Sequence, residues 1–267
     1  MNRVILGPGG LDDLRQELSG RDRAIVDQVA ELRLMTGRQV ATVFFPTDEY
    51  SSAVVAVRQA NRTLARMTED RLLIRLDRRI GGIHAGSASY IYGLGPVGER
   101  LLARDGARRR YREPSARFVD HTLEVSQLFA EVVAAARRGQ LAVLGCQPEP
   151  RCWREFSGAG GRIVLRSDLY LSIGARGYEH RFFVEVDRAT EHLPALLRKC
   201  RLYEAYYRSG REQAAHGLSP RTCWIVPSEK RATALRSAIE RDRRLTDALF
   251  VVTTNERALA VLSGGSP

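Results

Sequence analysis

Two stretches of the second half, RSDLYLSI at residues 166–173 and RFFVEVDR at residues 181–188, decide how this chain reads. Leu169–Ile173 and Arg181–Val186 are short and apolar, rich in the aromatic and β-branched residues that suit extended strands. Phe182, Phe183, Val184 and Val186 are apolar, so the carboxylates of Glu185 and Asp187 stand out at the end of that run. In a strand those two acids share a face, because side chains alternate with a period of two. Asp168 opens the earlier stretch. If its strand lies beside the later one, Asp168, Glu185 and Asp187 converge within reach of a metal ion. An oxygen-rich site of that kind suits magnesium or manganese (Mg2+ or Mn2+), which orients a water and stabilises a phosphoryl transition state. The alternative for the same acids is a set of solvated strand ends, or salt-bridge partners for the chain's many arginines.

Helices and strands alternate on both sides of these stretches. Phe118–Ala136 has the periodicity of a helix, with Leu123, Leu128, Phe129 and Val132 on its apolar side. Strands are expected at Leu141–Leu144 and Gly161–Leu165, and a long helix at Ala189–Tyr207. Arg221–Val226 reads as a strand, Glu229–Arg241 as a helix, Ala248–Thr253 as a strand and Asn255–Leu262 as a short helix. Strands grouped in the middle with helices around them imply a mixed sheet flanked by helices, an α/β (α+β) fold. Lys199, on the long helix, could bring positive charge to a phosphoryl transition state. Glu124, on the first helix, is a candidate fourth ligand or a group supporting the ligands.

The first half has a different order. Residues 21–35 place Ile25, Val29, Leu32 and Met35 at helical spacing, Thr36 is a cap, and Gly37–Phe45 is a second short helix ending before Pro46. A third helix runs from about Ala53 to Met67, with Val54, Val57, Leu64 and Met67 available to pack inward. Two strands follow, in DRLLIRLDRR and YIYGL, and GPVGERLLAR closes the region as a helix. Three helices followed by a β-hairpin is the order of a winged helix-turn-helix. Arg58, Arg62 and Arg66 on the third helix are spaced i, i+4, i+8, a basic stripe where such folds enter the major groove of DNA. Arg78 and Arg79, with His84, would sit on the wing near phosphates. A stripe of this kind can also be a solvated helix face.

RDGARRRYREP, residues 104–114, marks the expected boundary between a DNA-binding domain with its basic linker at 1–113 and an α/β domain at 114–267. The formal net charge is +11, with 42 basic residues against 31 acidic. That balance favours a polyanionic partner, and nucleic acid is the abundant one in a cytoplasm. Lysine occurs only at Lys199 and Lys230. The arginine excess could therefore reflect a GC-rich genome as well as DNA binding. A run of about 18 apolar residues, as a membrane span requires, is missing. The opening residues lack the apolar core and cleavage site of a secretory signal, so a cytoplasmic protein with no membrane partner is expected. Cys146, Cys152, Cys200 and Cys223 have no close zinc-like pairing and read as reduced, buried thiols. His121, His180 and His192 are isolated, and neither a Gly-x-Ser-x-Gly elbow nor a P-loop lysine motif is present.

FVDHTLEVSQLF (118–129), RSDLYLSI and FFVEVDRATEHLPALLRKCRLYEAYY (182–207) together resemble the replication-relaxation family of plasmids and other bacterial mobile elements. The resemblance covers most of the chain, including the segment YIYGLGPVGERLLA (90–103) that ends the family's winged-helix region. It implies a role in plasmid replication or DNA relaxation, and a second domain similar to the PD-(D/E)xK nuclease fold. Asp168 then matches the family's first acid and Glu185 its second, the pair that would bind the metal. The sequence departs from the nuclease pattern at Ser167, where proline usually precedes the first acid, and at Asp187, where a lysine would belong. Lys199, one helix later, could take that lysine's place.

The expected protein binds double-stranded DNA, with homodimerisation on a symmetric site as an accompanying expectation. It would nick DNA through Asp168, Glu185 and Lys199, assisted by Glu124 and Asp187. The alternative is a DNA-binding regulator or replication-initiation adaptor whose nuclease-like domain cuts nothing.

Overall fold

The structure, a computed structural model, describes residues 8–76, 90–102, 115–158 and 160–266. The chain forms two compact units, residues 1–130 and 131–267. The expected boundary at 113/114 lies outside the described residues; the division into units falls inside a helix.

The first unit begins with α1 (Pro8–Glu17) and α2 (Gly20–Leu32). Ser19 caps α2 by accepting from the Asp22 amide at 3.1 Å. Ile25, Val26, Val29 and Leu32 of α2 are buried. Met35 is buried as expected, but in a short strand, β1 (Leu34–Thr36), which the helical spacing did not reveal. Thr36 and Gln39 form a reciprocal capping box at 3.1 and 2.8 Å, and this starts α3 (Gly37–Phe44) within a residue of the strand. Ser52 caps α4 (Ala53–Glu69), which leads to β2 (Leu73–Leu76). Then come β3 (Ile91–Leu94), α5 (Pro96–Leu102) and α6 (Ala116–Arg137). The sheet order is β1-β3-β2, antiparallel throughout.

One expectation for α4 is overturned. Ala56, Ala60, Thr63, Leu64 and Met67 face the core, whereas Val54 and Val57 are exposed. The buried set centres on a side away from Val54. Val57 lies beside Leu64 (i, i+7) but stays exposed two turns nearer the helix start, and the small side chains of Ala56 and Ala60 let α3 and the sheet approach closely.

The second unit has β4 (Ala142–Pro148), β5 (Arg154–Gly158), β6 (Gly161–Leu165), β7 (Leu169–Ala175) and β8 (Tyr178–Val186). After these come α7 (Leu193–Arg208), α8 (Arg211–His216), β9 (Arg221–Val226), α9 (Glu229–Arg241), β10 (Phe250–Thr254) and α10 (Ala258–Leu262). Five strands form a mixed sheet in the order β10-β9-β8-β7-β4. β9 is parallel to β8 and β10, while β7 is antiparallel to β8 and β4. The mixed helix-and-sheet fold is as expected. The strand at Gly161–Leu165 belongs instead to a separate hairpin with β5, a mostly polar strand with no apolar pattern in the sequence.

β7 and β8 are joined by Arg176 and Gly177, both at positive φ (53° and 81°). Tight two-residue hairpins require that conformation, and it fixes their register. β8 is the central strand, and Phe182 to Val186 are all buried. A strand covered on both faces reads as an unbroken apolar run rather than an alternation. Leu196, Cys200 and Tyr203 of α7 join Phe183 and Trp224 in the core of this unit.

Candidate functional site

Glu185 interrupts the apolar run of β8 at one of the most enclosed positions in the unit, its side chain only 3% exposed. Pairing of Leu169 with Val184 brings the start of β7 beside the end of β8. Asp168, just before β7, is held there by three backbone-anchored bonds. Its amide donates to the Val184 carbonyl at 3.2 Å, its carbonyl accepts from the Glu149 amide at 3.1 Å, and its Oδ2 accepts from the Val186 amide at 2.8 Å. The two carboxylates therefore flank the same few residues of β8.

α7 supplies the complement. Lys199 and Tyr203 are spaced i, i+4 and so share a face. The Lys199 ammonium donates to Glu185 Oε2 and the Tyr203 hydroxyl donates to Glu185 Oε1. Both oxygens of the carboxyl thus carry a hydrogen-bond donor, as burial of a charged or polar group demands. Lys199 keeps about a third of its side chain exposed and forms the outer edge of the group. Tyr203 is fully enclosed.

The electrostatics follow from this packing. Burial, with the nearby Asp168 adding to it, pushes the Glu185 carboxyl up to about 8, although Lys199 and Tyr203 both favour its charged form. Burial alone would lower the Lys199 ammonium, but Glu185 and Asp168 outweigh it and hold the group above its ordinary value. Burial and the adjacent Glu185 raise the Tyr203 phenol well above its usual range, so Tyr203 is a proton donor to Glu185 and not a phenolate. With one ammonium set among two carboxyl groups, the cluster has an excess of negative charge when both acids are ionised.

The remaining expected residues are placed elsewhere. Asp187 follows β8, and its carboxylate binds Arg231 of α9 at 2.7 and 3.3 Å and the Ala189 amide at 3.0 Å. That pair is almost fully enclosed on the Asp187 side. Glu124 lies on α6 in the first unit, and Asp168 and Glu185 lie in the second. Arg58 and Arg62 are exposed on α4. Arg66 leaves their stripe: it binds Asp22 at 2.8 Å and Asp70 at 3.7 Å. Each four-residue step on an α-helix drifts by about 40°, so the third arginine of an i, i+4, i+8 series has rotated by roughly 80° from the first. Arg78 and Arg79, with His84 and the arginines of the linker, lie outside the described residues.

The role of Tyr203 went unread in the sequence, where only its spacing from Lys199 pointed to a shared partner. Among the described residues, no three His, Cys, Asp or Glu side chains are grouped so as to hold a metal ion. Magnesium needs fewer, since it is commonly held by one or two carboxylates with water completing its shell. Asp168 and Glu185 meet that minimum and no more. Among the described residues, no helix is long and apolar enough to cross a membrane.

A family model described as replication-relaxation matches residues 27–222, from within α2 to the start of β9 and across both units. No curated protein and no solved structure matches the chain.

Proposed function

The chain belongs to the replication-relaxation family, and from that premise we propose that it binds duplex DNA and nicks it in the replication or relaxation of a plasmid or mobile element. The observation that carries the reading is the meeting of Lys199, Glu185 and Asp168 at the end of β8. Asp168, Glu185 and Lys199 are the residue types a phosphodiester-cleaving site uses, and a lysine on α7 offsets the missing lysine two places after Glu185. The sheet of the second unit, antiparallel through β4, β7 and β8 and continued by β9 in parallel, is compatible with a PD-(D/E)xK-like core. The first unit, with α2, α3 and α4 followed by the β2–β3 pair, is compatible with a winged helix that holds the DNA.

In this reading Asp168 and Glu185 hold a magnesium or manganese ion, whose contribution is to stabilise negative charge on the phosphoryl group. Asp168 is oriented by the Val186 amide, and Glu185 by Tyr203. Lys199 places its ammonium beside the scissile phosphate while remaining anchored to Glu185. Both oxygens of Glu185 are already engaged within the fold. That same fact favours a second reading, in which the cluster is structural and the protein is a DNA-binding adaptor that cuts nothing.

The purified chain should bind duplex DNA with an affinity that falls as salt rises. Arg58→Ala with Arg62→Ala should weaken that binding. Glu185→Gln should bind as tightly as the natural chain but lose metal-dependent cutting. A chain that ignores duplex DNA at low salt contradicts the whole proposal, and equal cutting by Glu185→Gln contradicts the assignment of the site.

A further inference from the structure

The first unit carries a surface whose composition its own packing does not explain. Val54, Val57, Arg58, Asn61, Arg62 and Ala65 line one shallow depression on the outside of α4. Their spacing, i, i+3, i+4, i+7, i+8 and i+11, defines a single helix face opposite the one that enters the core. Val54 and Val57 are 66% and 50% exposed. β-Branched residues are mildly unfavourable in helices, and in solvent they gain no burial to offset that cost. Adjacent exposed apolar side chains are better explained by a contact surface.

The polar members of the face point to the kind of partner. Arg58 and Arg62 have no hydrogen-bond or ion-pair partner among the described residues, whereas Arg66, one turn beyond, is tied to Asp22 and Asp70. The face holds two guanidinium groups and a carboxamide but no carboxylate, so its charge complements a polyanion. A surface that only tracked phosphates would need cations, hydroxyls and amides, with no use for a pair of exposed valines. Arginine, asparagine and apolar methyls are the groups that pair with guanine, adenine and the thymine methyl in the major groove.

We infer that this face of α4 reads base edges in the major groove, with Asn61 selecting an adenine, Arg58 or Arg62 a guanine, and the Val54 and Val57 methyls packing on thymine. The inference rests on the DNA-binding reading above and adds that binding is sequence-selective, with the selectivity placed on one helix face. Arg66 is excluded from base reading because its guanidinium fastens α4 to α2.

The test is selection of bound duplexes from a random-sequence pool by the full chain, repeated with Asn61→Ala and with Val54→Ser plus Val57→Ser. These positions are exposed, and far-UV circular dichroism checks that each variant keeps its fold. The natural chain should enrich a motif containing adenine and guanine. Asn61→Ala should lose the preference at one adenine by roughly ten-fold or more, while its low-salt binding to unselected DNA is largely kept. Salt-sensitive binding with no enriched motif would overturn the inference and leave the DNA-binding reading standing. A motif unchanged at every position in both variants would place selectivity elsewhere and overturn it as well. Failure to retain any duplex would overturn both readings.

Discussion

Glu185→Gln exchanges a buried carboxyl for a neutral amide of the same shape, and it should change how the stability of the second unit depends on pH. Burial raises this carboxyl from 4.5 to about 8. Between those values the native unit holds a proton that the unfolded chain has released. Stability from this group is therefore fully present below the unfolded value and is lost as pH climbs to the folded one. At ~1.36 kcal/mol per pH unit, the ceiling on that loss is about 5 kcal/mol. The measured loss should fall below the ceiling, because the partly exposed Lys199 lets water relax the charged form. Trp153 and Trp224 are the chain's two tryptophans, and both lie in the second unit. Urea unfolding followed by tryptophan fluorescence thus reports this unit alone. Between about pH 5 and pH 8 the natural chain should lose stability relative to Glu185→Gln, with a slope approaching one proton per molecule. Parallel pH profiles for the two proteins would refute the account of a carboxyl whose hold on its proton is strengthened by burial.

Other outcomes follow from the same packing. Lys199→Met and Tyr203→Phe each remove a group that favours the charged form of Glu185. In both, the pH at which the loss of stability levels off should therefore move upward and the total loss should grow, further for Lys199→Met, as the same fluorescence titration would show. Glu212 accepts from Arg154 at 2.9 Å and from Tyr206 at 2.7 Å in an almost fully enclosed position. Glu212→Ala leaves both donors without it and should cost about 3 kcal/mol in urea unfolding. In the first unit, a Cβ added at Gly98 would lie 2.3 Å from the Leu72 carbonyl oxygen and 2.7 Å from Leu94 Cδ1. Gly98→Ala should force α5 off β2 at a cost of about 1–3 kcal/mol, seen as a lowered melting temperature by circular dichroism.

The elements that could be read from the sequence are those with a long, regular pattern. α2, α4, α6 and α9 announce themselves by periodicity, and the apolar run before Glu185 marks a central strand. β1 escaped because three residues carry no periodicity, and Met35 fits a helical series equally well. The β5–β6 hairpin escaped because most of β5, REFSG, is polar and only Phe156 is buried. Val54 and Val57 look inward-facing in the sequence because hydrophobicity alone does not distinguish a core face from a contact face. Asp168, Glu185 and Lys199 were recognisable as residue types, and pairing of β7 with β8 brought the two acids together. The fate of Asp187 depended on Arg231, 44 residues away, and no local pattern encodes such a partner. Tyr203 needed the helix to be docked on β8 before its hydroxyl could be assigned.

Incubation of supercoiled plasmid with the full chain, in manganese, magnesium or EDTA, bears most directly on the central claim. The account predicts metal-dependent conversion to open circles by the natural chain and none by Glu185→Gln at matched DNA occupancy. Plasmid that is bound but stays supercoiled in every metal would contradict the nicking site and leave Asp168, Glu185 and Lys199 as a structural cluster in a DNA-binding adaptor.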